Sequence, residues 1–470
     1  VEKSSAPEPL ILEVALDTPL RQVFDYLPVP GEPQPEPGMR VLVPFGRRQM
    51  VGVIVSLKDR SERETAQLKR VLRLIDPLPT FDPPLLKLLR WAADYYHHPL
   101  GEALAAALPK LAREGAPLQA SIESWQLTAL GETALAAGEP RRAPRQRALL
   151  EALAQHPGAG SSMGMEAARL DDDLPGWREA ARALRTRGWI ERLDGPRAPD
   201  VAQATTPDTE ARPRPTPTPA QQAALEAIRA HHRGEYRAWL LHGVTGSGKT
   251  EVYLRLAEDA LAAGRSVLVL VPEIGLTPQL VGRFAARFAG TSLAVLHSGL
   301  TDGARLAAWR RAESGEARLV IGTRSAIFAP VPALGLILVD EEHDASFKQQ
   351  EGGFRYSARD LALARAHGLG IPVVLGSATP SLETLHNAAT GRMTRLSLPE
   401  RAADARPPRL RLIDLRDERV HAGLATTSVT AIERHLAADG QVLVYINRRG
   451  YAPTLACTAC GWVAPCSACD

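Results

Sequence analysis

Two short stretches of this chain carry residue types spaced for phosphate chemistry. Gly243-Val244-Thr245-Gly246-Ser247-Gly248-Lys249-Thr250 fits the pattern G-x-x-x-x-G-K-[ST]. In such a loop glycines let backbone N–H groups turn toward a polyphosphate, and a following helix N-terminus adds partial positive charge. Gly243, Gly246, Ser247 and Gly248 would cradle the phosphates, Lys249 would reach the β- and γ-phosphates, and Thr250 would ligate Mg²⁺. The second stretch, Leu336-Ile337-Leu338-Val339-Asp340-Glu341-Glu342-His343, is an apolar strand running into three carboxylates and a histidine. Phosphoryl transfer to water needs a metal ligand beside the phosphates and a group that orients the attacking water. Asp340 suits the first role and Glu341 the second. An acidic strand end alone is commonly a surface turn; behind a phosphate loop in one α/β domain it reads as a site.

Position comes from the flanking elements. Ala238-Trp239-Leu240-Leu241 reads as the strand feeding the loop, and Glu251 to Ala263 as the helix leaving it, closed by Gly264. Residues 220 to 400 alternate strand and helix patterns, which implies a parallel α/β sheet. Expected strands are Ser266–Val271, Leu293–Leu296, Arg318–Ile321, Leu336–Val339 and Val373–Leu375, with helices over Gln279–Phe288 and Ala304–Ala312. Gln441 to Asn447 opens with an apolar run over 441–446 that reads as the strand of another unit. Gly376-Ser377-Ala378-Thr379-Pro380-Ser381 follows a buried strand; its hydroxyls could contact both carboxylates and a moving lobe, or simply make a turn.

The rest of the chain is organised ahead of this motor-like region. At 470 residues about three domains are expected. A composition of 45% hydrophobic and 23% charged residues suits a soluble protein, and a net charge of +3 leans basic without compelling a nucleic-acid partner. No run approaches the length of a membrane span, and the first residues lack the apolar core of a secretory signal, so no membrane partner and a cytoplasmic location are expected. Short apolar strands at 11–16, 39–43, 51–55 and 70–75, separated by Pro and Gly, suggest a small β-barrel-like domain. A helical stripe begins at Pro83 and ends in Trp91, Tyr95, Tyr96, His97 and His98. Helices near Arg147–Ala154 and Trp177–Arg187, then a strand-like ending at 188–193, suit a winged-helix-like domain. Its basic run Arg141, Arg142, Arg145, Arg147 either touches phosphates or faces solvent. Proline-rich residues 198–219 read as a stiff linker.

All four cysteines fall at the end, as Cys457, Cys460, Cys466 and Cys469. Paired C-x-x-C units are zinc spacing rather than a disulfide framework.

The phosphate loop, Asp-Glu-Glu-His and Ser-Ala-Thr, in that order, resemble a superfamily 2 helicase motor. The fuller strings 271–279 (VPEIGLTPQ), 296–300 (LHSGL), 321–326 (IGTRSA) and 447–451 (NRRGY), with the cysteine array, are similar to the PriA family of primosomal replication-restart helicases. Phe24-Asp25-Tyr26, Val43-Pro44-Phe45-Gly46 and Trp91-Ala92-Ala93-Asp94-Tyr95-Tyr96 extend the likeness over essentially the whole chain.

That resemblance implies a multidomain α/β protein with a RecA-like P-loop lobe. Its parts would be a 3′-DNA-end-binding domain (1–115), a winged-helix-like domain (116–197), the linker (198–219) and helicase lobe 1 (220–405). The start of lobe 2 (406–456) and the start of a zinc-binding region (457–470) would follow. It implies an ATP-dependent 3′→5′ DNA helicase, bacterial and nucleoid-associated, that recognises stalled or abandoned forks and initiates primosome assembly. Its partners would be forks, D-loops and single-stranded DNA, primosome proteins and single-stranded-DNA-binding protein. Phe24, Asp25, Gly46 and Lys69 would form the 3′-end pocket, in which an aromatic stacks on the terminal base, a carboxylate accepts the 3′-OH and a lysine meets phosphate. Gln221 would read adenine. Glu273, Thr277, Gly322 and Thr323 would line the DNA track, and Ser377, Ala378 and Thr379, linked to the acidic motif by His343, would couple ATP to movement.

Phe354, Arg355 and Tyr356 fall in an aromatic-rich loop implied to sense single-stranded DNA, although Gly352-Gly353-Phe354 departs from the family's Gly-Trp. The family's zinc pairs interleave on two ions, so Cys457/Cys460 and Cys466/Cys469 would serve different metals, or here gather one. The chain is expected to stop before most of lobe 2 and its arginine finger. A fork-binding scaffold that binds ATP without motor activity is therefore the alternative. An RNA helicase is disfavoured by Asp-Glu-Glu-His and the cysteines.

Overall fold

The computed structural model describes residues 10–445, 460, 462 and 463, apart from 32, 119–120, 142, 156–164, 175, 197–214, 232–234, 274–277, 402–408, 417 and 422. The chain up to residue 404 forms one compact unit and the remainder another.

The first strands are β1 (Ile11–Leu16), β2 (Phe24–Tyr26), β3 (Arg40–Phe45), β4 (Arg48–Lys58) and β5 (Arg73–Leu74). They form an antiparallel sheet in the order β2-β1-β4-β3-β5. Past β2, the Leu27 N–H donates to the Lys69 carbonyl at 2.9 Å and the Leu27 carbonyl accepts from Val71 at 3.0 Å. The two sheet edges therefore meet, which makes the domain barrel-like. This also explains why β5 is shorter than the expected strand over 70–75: Val71 bonds to Leu27 instead of extending β5. Leu12, Val14, Val41, Val43 and Ile54 fill the interior.

Next come α1 (Pro83–Tyr95), α2 (Leu100–Ala107) and α3 (Lys110–Arg113). Asp82 caps α1 by accepting from the Leu85 N–H at 2.8 Å, with Pro83 in the first turn where no N–H is needed. The α1 stripe Leu85, Leu88, Leu89, Ala92 shares one buried apolar cluster with the later α/β domain.

The following domain holds β6 (Ser121–Leu127), α4 (Ala129–Ala136), α5 (Pro144–Gln155), β7 (Met165–Glu166), α6 (Ala167–Asp173), α7 (Trp177–Thr186) and β8 (Ile190–Pro196). Its sheet is β7-β6-β8. Strand β6 was not expected; its apolar residues at 122, 125 and 127 break the strict period of two.

The α/β domain contains α8 (Pro219–Arg229), β9 (Arg237–Gly243), α9 (Lys249–Ala262), β10 (Ser266–Leu270), α10 (Pro278–Arg287), β11 (Leu293–Leu296) and α11 (Asp302–Glu313). It continues with β12 (Leu319–Gly322), β13 (Leu334–Val339), α12 (Ala358–Leu369), β14 (Pro372–Ser377), α13 (Leu382–Ala389) and β15 (Thr394–Leu398). The strands make one parallel sheet in the order β11-β12-β10-β13-β14-β9-β15. Continuous apolar runs are what such a sheet demands, because both faces are covered and alternate residues go to opposite cores. Leu268, Leu270, Ile337, Val339, Val373 and Leu375 enter the cluster with α1, α11 and α12. Val267, Val269, Leu336, Leu338 and Val374 enter the one with α8, α9 and α10. The order sets β13, β14 and β9 side by side, so the residues just past their carboxyl ends must share one crevice.

Where α3 and α11 approach, Lys110 Nζ lies 3.1 Å from Asp302. Nearby, Arg40 and Asp76 form a buried bidentate pair at 2.6 and 2.8 Å. Burial, helped by the Asp76 charge and opposed by Arg40 and Arg310, pushes the Glu313 carboxyl up to about 7 from its ordinary 4.5. Between those values the folded chain keeps a proton that the unfolded chain has released, so stability falls as pH rises through that window, by up to ~3 kcal/mol. Glu313→Gln should flatten the slope and stabilise the chain at pH 8 by about 1–3 kcal/mol, read by urea unfolding at pH 5 and pH 8.

The second unit carries β16 (Val420–His421), β17 (Leu424–Ala425) and α14 (Thr426–Ala437). The strand expected over 441–446 is not formed at 441–445. Leu443 and Tyr445 are 95% and 81% exposed, and residues 441–445 belong to none of the described sheets. Among the described residues no helix is long and apolar enough to cross a membrane.

Candidate functional site

Three motifs converge at the carboxyl ends of β9, β14 and β13. Gly243 ends β9, and the loop then turns through Gly246 (φ 81°) and Gly248 (φ 80°) into α9. Gly248 is doubly required, since a Cβ there would lie 2.3 Å from Gln221 Nε2 and its φ is left-handed. Lys249 is 9% exposed; its Nζ donates to the Gly243 carbonyl at 3.1 Å and lies 3.6 Å from Glu341 Oε1. Thr250 follows, half-buried, in the first turn of α9. The Ser247 hydroxyl is buried and hydrogen-bonds to no group among the described residues.

Gln221 is 4% exposed, and both ends of its amide are engaged. Oε1 accepts from the Thr218 N–H at 3.0 Å, completing a capping box, and Nε2 donates to the Ser247 carbonyl at 2.8 Å. It clamps the phosphate loop to the start of α8, leaving one N–H and one lone pair for a base.

Asp340 follows β13, its N–H donating to Leu270 at 2.9 Å and its Oδ1 accepting from the Tyr253 hydroxyl at 3.0 Å. Burial, then the adjacent Glu341 charge, raises the Asp340 carboxyl above its ordinary value. Glu341 holds a left-handed φ of 46°, a strained setting for a residue with a Cβ. That turn places its carboxylate between Lys249 and His343, 3.5 Å from His343 Nδ1. His343 Nδ1 also lies 2.7 Å from the Ser377 hydroxyl, and Nε2 lies 3.4 Å from that of Thr379. Glu342, the third carboxylate, turns inward: it accepts from Ser381 N (2.7 Å), Ser381 Oγ (3.1 Å), Thr384 Oγ1 (2.8 Å) and Arg359 Nη1 (3.3 Å). Ala378 backs onto His242, whose ring is held below its ordinary pKa by burial and then by Arg395. Gly322 and Thr323 are buried at the end of β12, and Glu273 is exposed.

On the barrel, Phe24 meets Phe45 edge-on at 5.0 Å, and Gly46 follows Phe45 with φ 58° and open space over its Cα. Asp25 lies 2.9 Å from Lys58 Nζ and accepts from Ser61 at 2.5 Å. Lys69 is exposed, and its carbonyl is tied to Leu27. Phe24, Asp25 and Gly46 therefore border one edge of the barrel, with Lys58 joining them.

Known proteins place the chain. Residues 13–109 match the family model for the PriA 3′ DNA-binding domain, and residues 218–388 match that for the DEAD/DEAH box helicase. A replication restart protein PriA of Haemophilus influenzae is 41% identical over 98% of this chain, and that of Bacillus subtilis 34% over 97%. Over nearly its whole length the chain is similar to PriA proteins. It spans 61% and 64% of the lengths of those two relatives.

The aromatic-rich loop takes a specific setting in this chain. Phe354 and Tyr356 are 4% and 6% exposed, stacked on each other at 5.1 Å, while Arg355 between them points to solvent. Phe328, Tyr96 and His98 pack around the pair, and the Tyr96 hydroxyl accepts from the Ser357 N–H at 3.2 Å. Stacking of either ring on a strand therefore requires it to leave this cluster; Arg355 is the member of the expected trio already accessible.

Thr277, the segment 447–451, Cys457, Cys466 and Cys469 lie outside the described residues. Cys460 is exposed, and no group of three or more metal-ligating side chains occurs among the described residues. Sequence reasoning missed Lys58, Tyr253, Arg359 and the inward role of Glu342. Only Lys58 had a usable signal, a cation ending the apolar run of β4.

Proposed function

We propose that this chain supplies the ATP-binding lobe and the 3′-end-binding domain of an ATP-dependent 3′→5′ DNA helicase that recognises abandoned forks and initiates primosome assembly. The observation that carries the reading is the convergence of Lys249, Asp340, Glu341 and His343 on one crevice at the ends of three adjacent strands. The donor set suits ATP·Mg²⁺: a buried ammonium lies beside two adjacent carboxylates, an excess of negative charge that a divalent cation offsets. Thr250 and Asp340 would hold Mg²⁺, which when bound neutralises charge on the phosphates. Lys249 fixes positive charge beside the loop. Glu341, braced between Lys249 and His343, is set to accept a proton from water. His343 ties that carboxylate to Ser377 and Thr379, so a change around Glu341 is felt by the Ser-Ala-Thr turn. Zinc at the cysteines and protein partners rest on the resemblance alone.

Displacement of strands from duplexes with 3′ or 5′ tails tests the reading: ATP-dependent unwinding from 3′ tails is expected, and unwinding from 5′ tails alone would reverse the polarity. For the barrel pocket, a fork ending in 3′-OH should bind about tenfold more tightly than one ending in 3′-phosphate, because Asp25 accepts from a hydroxyl and repels a phosphate. Asp25→Ala should erase that preference in a fluorescence-anisotropy titration.

A further inference from the structure

Tyr253 sits one turn beyond Lys249 in α9 and is 1% exposed. Its hydroxyl donates to Asp340 Oδ1 at 3.0 Å. Packing alone does not account for that hydroxyl. A phenylalanine would fill the same space between α9 and the sheet, and the extra oxygen fits only because residue 376 is glycine: a Cβ there would lie 1.5 Å from it. The Gly376 carbonyl in turn accepts from the Glu342 N–H at 3.1 Å. One small residue thus makes room for the group that holds Asp340 and receives the backbone two residues further on.

We propose that Tyr253 is the positioning residue for Asp340, fixing the rotation of its carboxylate for the divalent cation that accompanies a nucleoside triphosphate. The proposal rests on the nucleotide reading above. A carboxylate that ligates a metal must present its oxygens in a set orientation, and an outer-shell hydrogen bond supplies that order before the cation arrives. Tyr253 shares α9 with Lys249 and Thr250, so the same rigid helix carries a phosphate ligand, a candidate metal ligand and the group that orients the metal ligand opposite.

The test is a Mg²⁺ titration of the binding of a fluorescent ATP analogue to residues 1–470, with Tyr253→Phe beside the wild type. The half-saturating Mg²⁺ concentration is expected to rise by about tenfold or more, with nucleotide affinity in EDTA unchanged. In an Asp340→Asn background, Tyr253→Phe should add nothing further. A Mg²⁺ response preserved in Tyr253→Phe overturns the proposal, as does equal weakening with and without Mg²⁺, which assigns the ring to packing. If Tyr253→Phe does not fold, the hydroxyl is needed for the fold itself and the proposal is overturned. Wild-type binding that ignores Mg²⁺ would instead overturn the nucleotide reading beneath it.

Discussion

Lys249→Ala should reduce ATP turnover about 10²–10³-fold or more while leaving fork binding within about twofold. The Lys249 ammonium is buried, held 3.1 Å from the Gly243 carbonyl and 3.6 Å from Glu341. A fixed charge in a water-poor crevice counts for more than one in solvent, and nothing else among the described residues supplies a cation at that point of the loop. Its removal also strips Asp340 of a positive charge that, with hydrogen bonds from Tyr253 and the Glu341 backbone, holds its carboxyl down, so burial and Glu341 would push that group further up. The barrel edge bearing Phe24, Asp25 and Gly46 makes no contact with Lys249, which is why DNA affinity should survive. Binding of a fluorescent ATP analogue to residues 1–470, and turnover in any longer polypeptide containing them, check the prediction. Undiminished hydrolysis would sink the phosphate-loop assignment.

The phosphate loop and the acidic strand end could be read from sequence because their chemistry fixes residue types within a few positions of one another. The parallel sheet was readable for a related reason: strands buried on both faces are apolar throughout, as in the fully buried β10. Edge strand β15 escaped notice because Thr394–Leu398 has one face wet and polar residues at 394, 395 and 397. The aromatic loop held a signal that composition hides. Phe354, Arg355 and Tyr356 alternate, so in extended backbone the two rings share a side and the guanidinium takes the other. Contacts such as Tyr253 with Asp340 join distant parts of the chain and leave no local pattern. No period or spacing announces that Gly376 exists to admit a hydroxyl.

Glu342→Gln should destabilise the chain by about 3 kcal/mol and cut ATP turnover about 10²-fold, with nucleotide binding nearly intact. The side chain is fully buried and receives only donors: two from Ser381, one from Thr384 and one from Arg359. A carboxylate satisfies all four, but an amide cannot. Whichever way it flips, its NH₂ faces either the Ser381 N–H or the Arg359 guanidinium and leaves buried donors unmet. The catalytic loss follows from the neighbour. Glu341 keeps its left-handed φ of 46° because structure on both sides over-determines it. The Asp344 N–H closes a turn onto the Glu341 carbonyl at 2.9 Å, and Glu342 is nailed to Ser381, Thr384 and Gly376. Released on the Glu342 side, Glu341 can relax to an ordinary φ, carrying its carboxylate away from Lys249 and His343. Because Lys249, Ser247 and Gln221 do not touch Glu342, the phosphate loop should still bind nucleotide. Arg359→Ala should move turnover in the same direction by less, since it removes one donor and leaves the carboxylate in place. Urea unfolding reads the stability change, and turnover set against nucleotide affinity separates positioning from general damage. A Glu342→Gln variant with normal turnover would show that Glu341 keeps its strained turn without that anchor.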